Sequence, residues 1–531
     1  MESIIHIHQN SKEEHPVSIS RRRFISMLAG TGTVAAAATL TGCRPVSDPS
    51  GAGWLPNQYR DQSNFKPPVR GRVAFAPDDP AIMRDDEKCI LCGQCIEACE
   101  KVQSVFGYYE LPVFDDFICV HCGQCSLWCP TGSIRARNQV DEVLAAINDP
   151  NYVVVAQPSP ATRVGLGEEF GLPAGTWVEG QLATSMKEAG FDYAMDINFS
   201  ADLTITEEAA ELVQRVTTGG VLPQFTSCCP AWVKFVEYYY PELIPHLSSA
   251  RSPIGMHGPV IKTYFAEKEG IDPEKLLTVT LTPCVAKKFE IARPEFVNGA
   301  VAKYYNNENI KDNDIILCAR EYAELLRKLD IDFANLPEGK FDPLCSQGSG
   351  GGLIFGNTGG VMEAAVRTAY YYITGEQPPE HLLHFEDVRG LKGIKKASVD
   401  IPGAGTVKVA VAHGLLNARK LCEEVKRGTC EFHFMEVMAC PGGCISGGGQ
   451  PRTAVPPQDW VRQARIDTNY AKDASYSLRN CHDNPEIQAF YNDFAEKPLS
   501  HVAHELLHTH YHSRGDKVTP KEVDAEGQYK K

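Results

Sequence analysis

The alternation of apolar and polar residues divides the chain into regions of different predicted structure. From about residue 146, short β-branched runs such as YVVVAQ (152–157) and VKVAVAHG (407–414) alternate with stretches of helical spacing such as TEEAAELVQRV (206–216). This alternation predicts an α/β domain, which we place at residues 146–460. Residues 461–515 have helical spacing without a strand pattern, so we predict a helical segment that wraps around that domain.

Two other regions are distinguished by their composition. Residues 44–78 are rich in Pro, Gly, Ser and Asn with little periodicity, which predicts a flexible linker, with ordered structure beginning near Ile82. Residues 516–531 are predicted to form a polar tail. The chain of 531 residues, 43% of them hydrophobic, is long enough to bury the cores of two or three domains.

The charge of the chain narrows the class of partner. The formal net charge is −15, and the basic residues are spread along the chain rather than clustered. This pattern favours a small molecule or a basic protein as the main partner. We therefore predict no nucleic-acid partner.

Residues 79–145 carry a duplicated cysteine phrase. CILCGQCIEACE (89–100) and CVHCGQCSLWCP (119–130) share the spacing C-x2-C-x2-C-x3-C, and together they hold eight of the nineteen cysteines. Bacterial ferredoxins have this spacing, and in them three cysteines of a run bind one 4Fe-4S cluster while the fourth binds the other cluster. We therefore predict an α+β, ferredoxin-like domain that relays electrons through two 4Fe-4S clusters.

The crossed arrangement assigns each of these cysteines to a cluster. Zinc is the alternative, but structural zinc sites normally pair two C-x2-C units without a third close cysteine. The predicted ligands are Cys89, Cys92, Cys95 and Cys129 for one cluster, and Cys119, Cys122, Cys125 and Cys99 for the other.

The N-terminus is typical of an export signal. SRRRFISMLAGTGTVAAAATLTGC (20–43) begins with three arginines and continues with about fifteen weakly apolar residues, too few to span a membrane stably. The arginine pattern resembles a twin-arginine signal, which implies the twin-arginine translocase as a partner and export of an already folded protein. LTGC (40–43) resembles a lipoprotein processing box, which would leave Cys43 lipidated as the mature N-terminus; ordinary cleavage nearby is the alternative. We expect a periplasmic protein, or one held at the outer face of the cytoplasmic membrane.

Three cysteine-bearing loops lie far apart in the α/β region. They are FTSCCPAW (225–232), TPCVAKKFE (282–290) and MACPGGCISGGGQP (438–451). Four thiolates from these loops are enough to hold one more 4Fe-4S cluster, and one of the adjacent Cys228 and Cys229 is then left over. We expect the glycines of the third loop to let its backbone approach a bulky inorganic group.

With these loops and the duplicated phrase, residues 82–512 resemble the iron-iron hydrogenases, of the periplasmic type with a small-subunit-like segment fused at the C-terminus. The resemblance implies an H-cluster, which is a 4Fe-4S cubane joined to a two-iron subcluster bearing carbon monoxide, cyanide and a bridging dithiolate. By this resemblance Cys444 also bridges the cubane to the two irons. The implied ligands of the cubane are Cys229, Cys284, Cys440 and Cys444.

The resemblance also implies contacts to the two-iron subcluster. Lys287 is similar to the lysine that hydrogen-bonds a cyanide ligand, a charge-assisted contact. Pro160 and Ala161 match the loop that touches the other cyanide, and Met438 is expected to pack on the dithiolate side.

The leftover thiol and a nearby helix imply a proton route. By resemblance, Cys228 passes protons to the bridging dithiolate, and the ordinary pKa of a thiol, about 8.5, suits that exchange. The family pattern implies a relay that runs through Arg215, Glu211, Ser248, Glu208 and Cys228. The alternatives are a solvated helix face for Glu208, Glu211 and Arg215, and a buried, unreactive thiol for Cys228.

Two positions depart from the best-known members of the family, and two motifs point elsewhere. Thr282 stands where those members have methionine, and Ile254 resembles the periplasmic members rather than the soluble ones. HELLH (504–508) fits the zinc-protease string HExxH, but its surroundings resemble the hydrogenase small subunit. GSGGGLIFGNTGG (348–360) lacks the ending of a phosphate-binding loop and is expected to line the cofactor cavity.

The function that the resemblance implies is reversible interconversion of H2 with protons and electrons. The expected partners are an electron carrier (a ferredoxin, a cytochrome or a membrane redox protein) and the hydrogenase maturation proteins. An outward location favours H2 uptake. The alternatives are a non-catalytic H2 sensor, an iron-sulfur assembly factor of the same family, and a plain electron-transfer protein.

Overall fold

The protein is described here from a computed structural model, which covers residues 71–113 and 117–529. The predicted export signal, the predicted lipidation site at Cys43 and the predicted linker up to residue 70 lie outside the described residues. Within those described ranges, no helix combines the length and the apolar character needed to cross a bilayer.

The cysteine-rich region is built as two similar halves. Strands β1 (Ile82–Arg84) and β2 (Ile134–Ala136) pair antiparallel, and the duplicated phrases form the short helices α1 (Gln94–Glu97) and α2 (Gln124–Trp128). Each helix follows a glycine in the left-handed conformation, Gly93 with φ 75° and Gly123 with φ 71°. The repeated sequence therefore gives a repeated local structure, because only glycine adopts this conformation without a steric cost.

The packed structure begins before the predicted boundary at residue 79. Val73 and Phe75 are buried with Ile82 and Ile134 in one apolar cluster, and Gly71 forms a β-bridge with Cys92. The prediction of a linker up to residue 78 is therefore wrong for residues 71–78. The Pro- and Gly-rich composition did not indicate that Val73 and Phe75 would bury apolar surface in this cluster.

The α/β region contains two four-stranded sheets, as the alternation of strands and helices predicted. In the first sheet, of order β4-β3-β6-β7, all neighbours are parallel; in the second, of order β5-β10-β9-β8, only β8 is antiparallel to its neighbour. The strands are β3 (Val153–Pro158), β4 (Tyr193–Ala194), β5 (Gln224–Phe225), β6 (Leu276–Thr282), β7 (Ile315–Cys318), β8 (Ile394–Ile401), β9 (Gly405–His413) and β10 (Phe434–Met438).

Helices follow most of these strands and cover the sheets, which is why the central strands are largely buried. The α-helices of this region are α3 (Val140–Ile147), α4 (Glu179–Glu188), α5 (Asn198–Thr218), α6 (Pro230–Tyr239), α7 (Pro253–Val260), α8 (Ala266–Glu269), α9 (Ala286–Ile291), α10 (Pro294–Val297), α11 (Ala300–Tyr305), α12 (Ala319–Lys328), α13 (Gly350–Ile354), α14 (Gly360–Thr374), α15 (Glu380–Leu383) and α16 (Leu415–Lys426).

Shorter helical turns connect these elements. The 3-10 turns are Asp86–Lys88, Pro160–Val164, Leu166–Phe170, Pro241–His246, Pro273–Lys275, Phe333–Asn335, Glu386–Val388, Cys444–Ser446 and Cys481–Asp483, and the π-helical turns are Ala98–Val102, Ile261–Phe265 and Tyr491–Ala495.

The C-terminal segment is helical and packs on the α/β region. It contains α17 (Asp459–Ser475), α18 (Pro485–Phe490) and α19 (His501–Leu507). Phe490 and Leu507 are fully buried in a cluster that also holds Phe199 of α5. The segment therefore completes the core of the domain that it covers.

The predicted polar tail at residues 516–531 packs in part against the cysteine-rich region. Val518 is 2% exposed in an apolar cluster with Tyr108, and the ring of Tyr529 packs edge-on against Tyr108 at 4.9 Å. The hydroxyl of Tyr529 donates to Glu100 at 3.1 Å. A few apolar side chains among many polar ones are enough to fold this end of the chain back onto the cysteine-rich region.

Candidate functional site

The four loops predicted to form the site all follow the carboxyl ends of parallel strands. The loop with Pro160 and Ala161 follows β3, and the loop with Cys284 follows β6 in the same sheet. The loop with Cys228 and Cys229 follows β5, and the loop with Cys440 follows β10 in the other sheet. Crevices beyond the carboxyl ends of parallel strands are the usual ligand sites of α/β folds.

Four of the predicted ligand thiols lie close together there. Burial, and then the thiol of Cys229, raise the pKa of Cys284 to about 12. Burial and the thiols of Cys284 and Cys229 also raise the pKa of Cys440 and of Cys444 well above the ordinary value. Four thiols in this surrounding resist ionisation unless a positively charged group holds them.

The arrangement fits a group with several metal ions better than a single ion. In residues 71–113 and 117–529, the only three His, Cys, Asp or Glu ligand atoms within 4.8 Å of one another belong to Glu295, His510 and His512. The cysteine sulfurs therefore stand farther apart than the ligands of one zinc ion, which bind at about 2.3 Å from the metal. Thiolates at wider spacing are the donors that bind iron-sulfur clusters.

The glycines of the third loop make close contacts with other protein loops. A Cβ at Gly448 would lie 2.6 Å from the backbone of Gly123, and a Cβ at Gly443 would lie 2.6 Å from the backbone nitrogen of Thr358. A Cβ at Gly447 would meet the carbonyl oxygen of Pro283. These glycines allow the loop to approach other protein loops, and their predicted role beside an inorganic group stays a prediction.

A largely apolar cavity lies beside the four thiols. Cys228, Lys287 and Cys444 contribute to its wall, together with Phe355 and Gly356 of the glycine-rich stretch 348–360. Its other lining residues include Pro160, Ala161, Ile254, Thr282 and Cys284. The two departures from the family pattern, Thr282 and Ile254, therefore both face this cavity. Met438 is 1% exposed in the apolar cluster that contains Cys228 and Cys444.

The eight cysteines of the duplicated phrase line two separate pockets in the crossed combination that the spacing predicts. One pocket is lined by Cys89, Cys92, Cys95 and Cys129. The other pocket is lined by Cys99, Cys119, Cys122 and Cys125.

The second of these pockets adjoins the four-thiol site. The amide of Gln124 donates to the carbonyl oxygen of Ser446 at 2.9 Å, and the hydroxyl of Ser126 donates to that of Gly448 at 2.7 Å. The thiol of Cys122 is among the groups that raise the pKa of Cys440. The cysteine-rich region is thus fixed to the third loop by direct hydrogen bonds.

The environments of Cys228 and Cys229 differ. The sulfur of Cys229 accepts a hydrogen bond from the backbone N–H of Ala439 at 3.4 Å, as thiolate ligands often do. Cys228 is 7% exposed, and burial, followed by the nearby carboxyl of Glu208, raises the pKa of its thiol well above the ordinary value. Lys287 donates to the carbonyl oxygen of Cys228 at 3.1 Å and to Glu290 at 2.7 Å.

Hydrogen bonds join the predicted relay residues from Arg215 to Glu208, and Glu208 interacts electrostatically with Cys228. Glu208 and Glu211 of α5 are 1% and 7% exposed, so the alternative of a solvated helix face is wrong for them. Ser248 donates to Glu211 at 2.6 Å, and Arg215 donates to the other oxygen of Glu211 at 2.7 Å. Burial, and then the charge of Glu211, raise the pKa of Glu208 to about 8, while a hydrogen bond from Ser248 opposes that rise.

Two residues that the sequence analysis missed join this chain of groups. The hydroxyl of Ser249 donates to Glu211 at 3.3 Å and lies 2.9 Å from Nδ1 of His508. Nε2 of His508 lies 3.0 Å from Glu207. His508 is the last residue of the HELLH string, and its second nitrogen already has a protein partner. The sequence signal that could have identified Ser249 is its position next to Ser248, a predicted relay residue.

Comparisons with known proteins agree with this geometry. Residues 152–448 match the family described as iron only hydrogenase large subunit, C-terminal domain, and residues 459–514 match the iron hydrogenase small subunit. The NADP-reducing hydrogenase subunit HndD of Solidesulfovibrio fructosivorans is 44% identical over 82% of this chain and 75% of that protein. The periplasmic Fe hydrogenase large subunit of Nitratidesulfovibrio vulgaris is 45% identical over 69% of this chain and 85% of that protein. The solved structure of the FeFe-hydrogenase HydA1 of Chlamydomonas reinhardtii is 37% identical, with a TM-score of 0.62 over 71% of this chain and 99% of that one.

Proposed function

The chain belongs to the iron-only hydrogenase family and is an oxidoreductase acting on H2, and from this premise we propose how its own residues support the reaction. One observation carries the proposal. A four-thiol site, a largely apolar cavity and a chain of proton-carrying groups all converge at Cys228. A protein that only transferred electrons would have no need of the last two features.

The cofactor is an H-cluster, held by the four thiols. Cys229, Cys284, Cys440 and Cys444 would hold its cubane, and Cys444 would also hold the two-iron subcluster. When bound, this group supplies the metal centre at which H2 is split or formed and from which electrons are exchanged. Pro160, Ala161 and Met438 are the proposed neighbours of the subcluster, and the apolar cavity wall excludes water from it.

The proposed role of Lys287 is to hold an anionic ligand of the subcluster. Its side chain is 8% exposed and lies on the cavity wall. Burial alone would lower the pKa of Lys287, but the charges of Glu290 and Cys284 raise it, so the amine stays protonated at neutral pH. A protonated amine in an apolar cavity is a strong hydrogen-bond donor to an anion.

Protons are proposed to travel between Cys228 and the surface through Glu208, Ser248, Glu211 and Arg215. Because the pKa of Glu208 is about 8, its carboxyl carries a proton at neutral pH and can pass it to Cys228. Ser248 bridges the two carboxyls by its hydroxyl, and Arg215, 14% exposed, marks the outer end of the route. Glu211 is also hydrogen-bonded to Ser249, which is in turn hydrogen-bonded to His508.

Electrons are proposed to travel through two 4Fe-4S clusters in the pockets of the duplicated phrase. The pocket lined by Cys89 and Cys92 lies nearest the surface, since the adjoining Ile90 is 58% exposed. The pocket with Cys122 adjoins the four-thiol site. The ligand sets therefore follow one another from the surface to the site, which supports a ferredoxin-like relay.

We further propose export by the twin-arginine translocase, a lipid anchor at Cys43 and physiological H2 uptake. The N-terminal sequence supports the first two, and the printed name of the Nitratidesulfovibrio relative places that protein in the periplasm. Uptake by an exported enzyme would deliver electrons to a ferredoxin, a cytochrome or a membrane redox protein. Filling the site would require the hydrogenase maturation proteins.

The function is tested by an anaerobic H2-uptake assay with an artificial electron acceptor, on protein produced together with the maturation proteins. We expect sustained turnover by the wild-type chain. A fully matured protein that binds H2 without turnover would instead favour the function of an H2 sensor. The presence of all the proton-relay residues argues against that function.

A further inference from the structure

The segment after α19 carries two histidines that the proposed reaction does not use. His510 and His512 follow His508 at alternate positions and lie beside Glu295 of α10. One ligand atom from each of the three residues lies within 4.8 Å of the other two. The rings of the two histidines are in edge contact, with centroids 4.8 Å apart.

The carboxylate of this trio lacks a partner for one of its oxygens. The side chain of Glu295 is 9% exposed, and its Oε1 lies 3.0 Å from Nε2 of His512. Its Oε2 is buried and has no hydrogen-bond partner, although Nε of Arg293 lies 3.6 Å away. This oxygen has only a long ion pair with Arg293 and no hydrogen bond, so it is available as a metal ligand.

The backbone around the histidines is held in place independently of the trio. The N–H of Thr509 donates to the carbonyl oxygen of Ser249 at 2.9 Å, and the N–H of His512 donates to Glu237 at 3.3 Å. Glu237 also binds the guanidinium of Arg514 at 2.9 Å. The histidine side chains are therefore presented from a fixed backbone, which lowers the entropic cost of binding a ligand between them.

The nearby positive charge is only partly offset by Glu237. Arg293 forms an ion pair with Glu237, and Arg514 pairs with the same carboxylate. Glu237 is fully buried, so these pairs are poorly screened by solvent. Because Arg293 also lies 3.6 Å from Glu295, a bound cation shares the Glu295 carboxylate with this guanidinium.

We propose that Glu295, His510 and His512 form a binding site for a divalent transition-metal ion of the zinc class. Two imidazoles and one carboxylate suit zinc, nickel or copper better than magnesium or calcium, which prefer oxygen ligands alone. His512 is 62% exposed, so the ion has access from solvent, and water completes its coordination. The bound ion links the C-terminal segment to α10 and stabilises the chain by its binding free energy.

The test uses the full chain with its iron clusters loaded, so that the cluster cysteines do not compete for the probe metal. Zn2+ is titrated under anaerobic conditions into wild type, the double variant H510A/H512A and E295Q. The matched control is H501A, because His501 is 84% exposed on α19 and outside the trio. We expect wild type and H501A to bind zinc and gain thermal stability from it, and the double variant and E295Q to lose both effects.

X-ray absorption at the zinc edge identifies the ligands directly. The site predicts nitrogen and oxygen neighbours at about 2.0–2.1 Å and no sulfur at about 2.3 Å. Two results would overturn the proposal: sulfur in the first shell of the bound zinc, or zinc binding that is unchanged in the double variant. E295Q preserves side-chain size and keeps the test decisive if the double variant folds poorly.

Discussion

Cys228 and Cys229 are neighbours in sequence but face different surroundings. Cys229 accepts a backbone hydrogen bond and adjoins the other ligand thiols, whereas Cys228 lines the cavity near Glu208. Their adjacency alone did not determine which thiol is the ligand. The assignment came from the family resemblance, and the surroundings support it.

Replacing Cys228 by Ala is expected to remove most of the H2 turnover without loss of iron. Removal of a positioned proton donor typically costs about 10²–10⁴-fold in rate. The measurement is H2 uptake and evolution together with iron content per chain. Cys430→Ala is the control, because Cys430 is partly buried outside the site and should change neither quantity. Undiminished turnover in Cys228→Ala would remove this thiol from the proton route.

Glu208 is expected to lose its proton only near pH 8. Burial and the charge of Glu211 hold its pKa above the ordinary 4.5, so the carboxyl is protonated below pH 8 and ionised above it. Infrared difference spectra across this pH range should show the carbonyl band of a protonated carboxyl disappearing in wild type. The band should be missing in Glu208→Gln. A carboxylate already ionised at pH 6 would contradict this account of the relay.

The elements of the α/β region were predictable, because β-branched runs and helical spacing are local signals. These strands belong to two separate sheets, and the carboxyl ends of β3, β6, β5 and β10 all lie beside one crevice. The sequence analysis could not derive this convergence from periodicity, because it depends on which strands pair. Periodicity also does not reveal that the third-loop glycines are needed for close contacts with distant backbone, such as that of Gly448 with Gly123.

Replacing Gly448 by Ala is expected to push the third loop away from the cysteine-rich region. The added Cβ would meet the backbone of Gly123 at 2.6 Å, and overpacking of this kind costs about 1–3 kcal/mol. The apparent melting temperature and the rate of H2 oxidation should both fall. Gly428→Ala is the control, because nothing lies within 4 Å of its Cβ and only backbone strain is added. An unchanged melting temperature and H2-oxidation rate in Gly448→Ala would show that the contact with Gly123 is unimportant.

At the scale of the whole molecule, segments distant in sequence hold the cysteine-rich region. Residues 71–78 were predicted to belong to a flexible linker and residues 516–531 to a polar tail, yet both segments pack against it. Composition averaged over a window does not reveal the few apolar side chains that fix these segments to the cysteine-rich region. They are Val73, Phe75, Val518 and Tyr529. Long-range packing of single side chains leaves no periodic signal.

Deletion of residues 516–531 is therefore expected to weaken the cysteine-rich region. The deletion removes Val518 from an apolar cluster and Tyr529 from its contacts with Tyr108 and Glu100. We expect faster loss of iron on mild heating, followed by absorbance of the clusters. Tyr529→Ala should show a smaller change in the same direction. Unchanged iron retention in the deletion variant would indicate that these contacts add no stability.

The central claim is that Cys229, Cys284, Cys440 and Cys444 together hold the H-cluster. The most direct measurement is the infrared spectrum of matured protein, in which iron-bound carbon monoxide and cyanide give characteristic bands. The account predicts these bands in wild type and their loss in Cys444→Ala, with the iron of the two ferredoxin-type clusters retained. Matured wild-type protein without the bands, or a Cys444→Ala variant that keeps them, would contradict it.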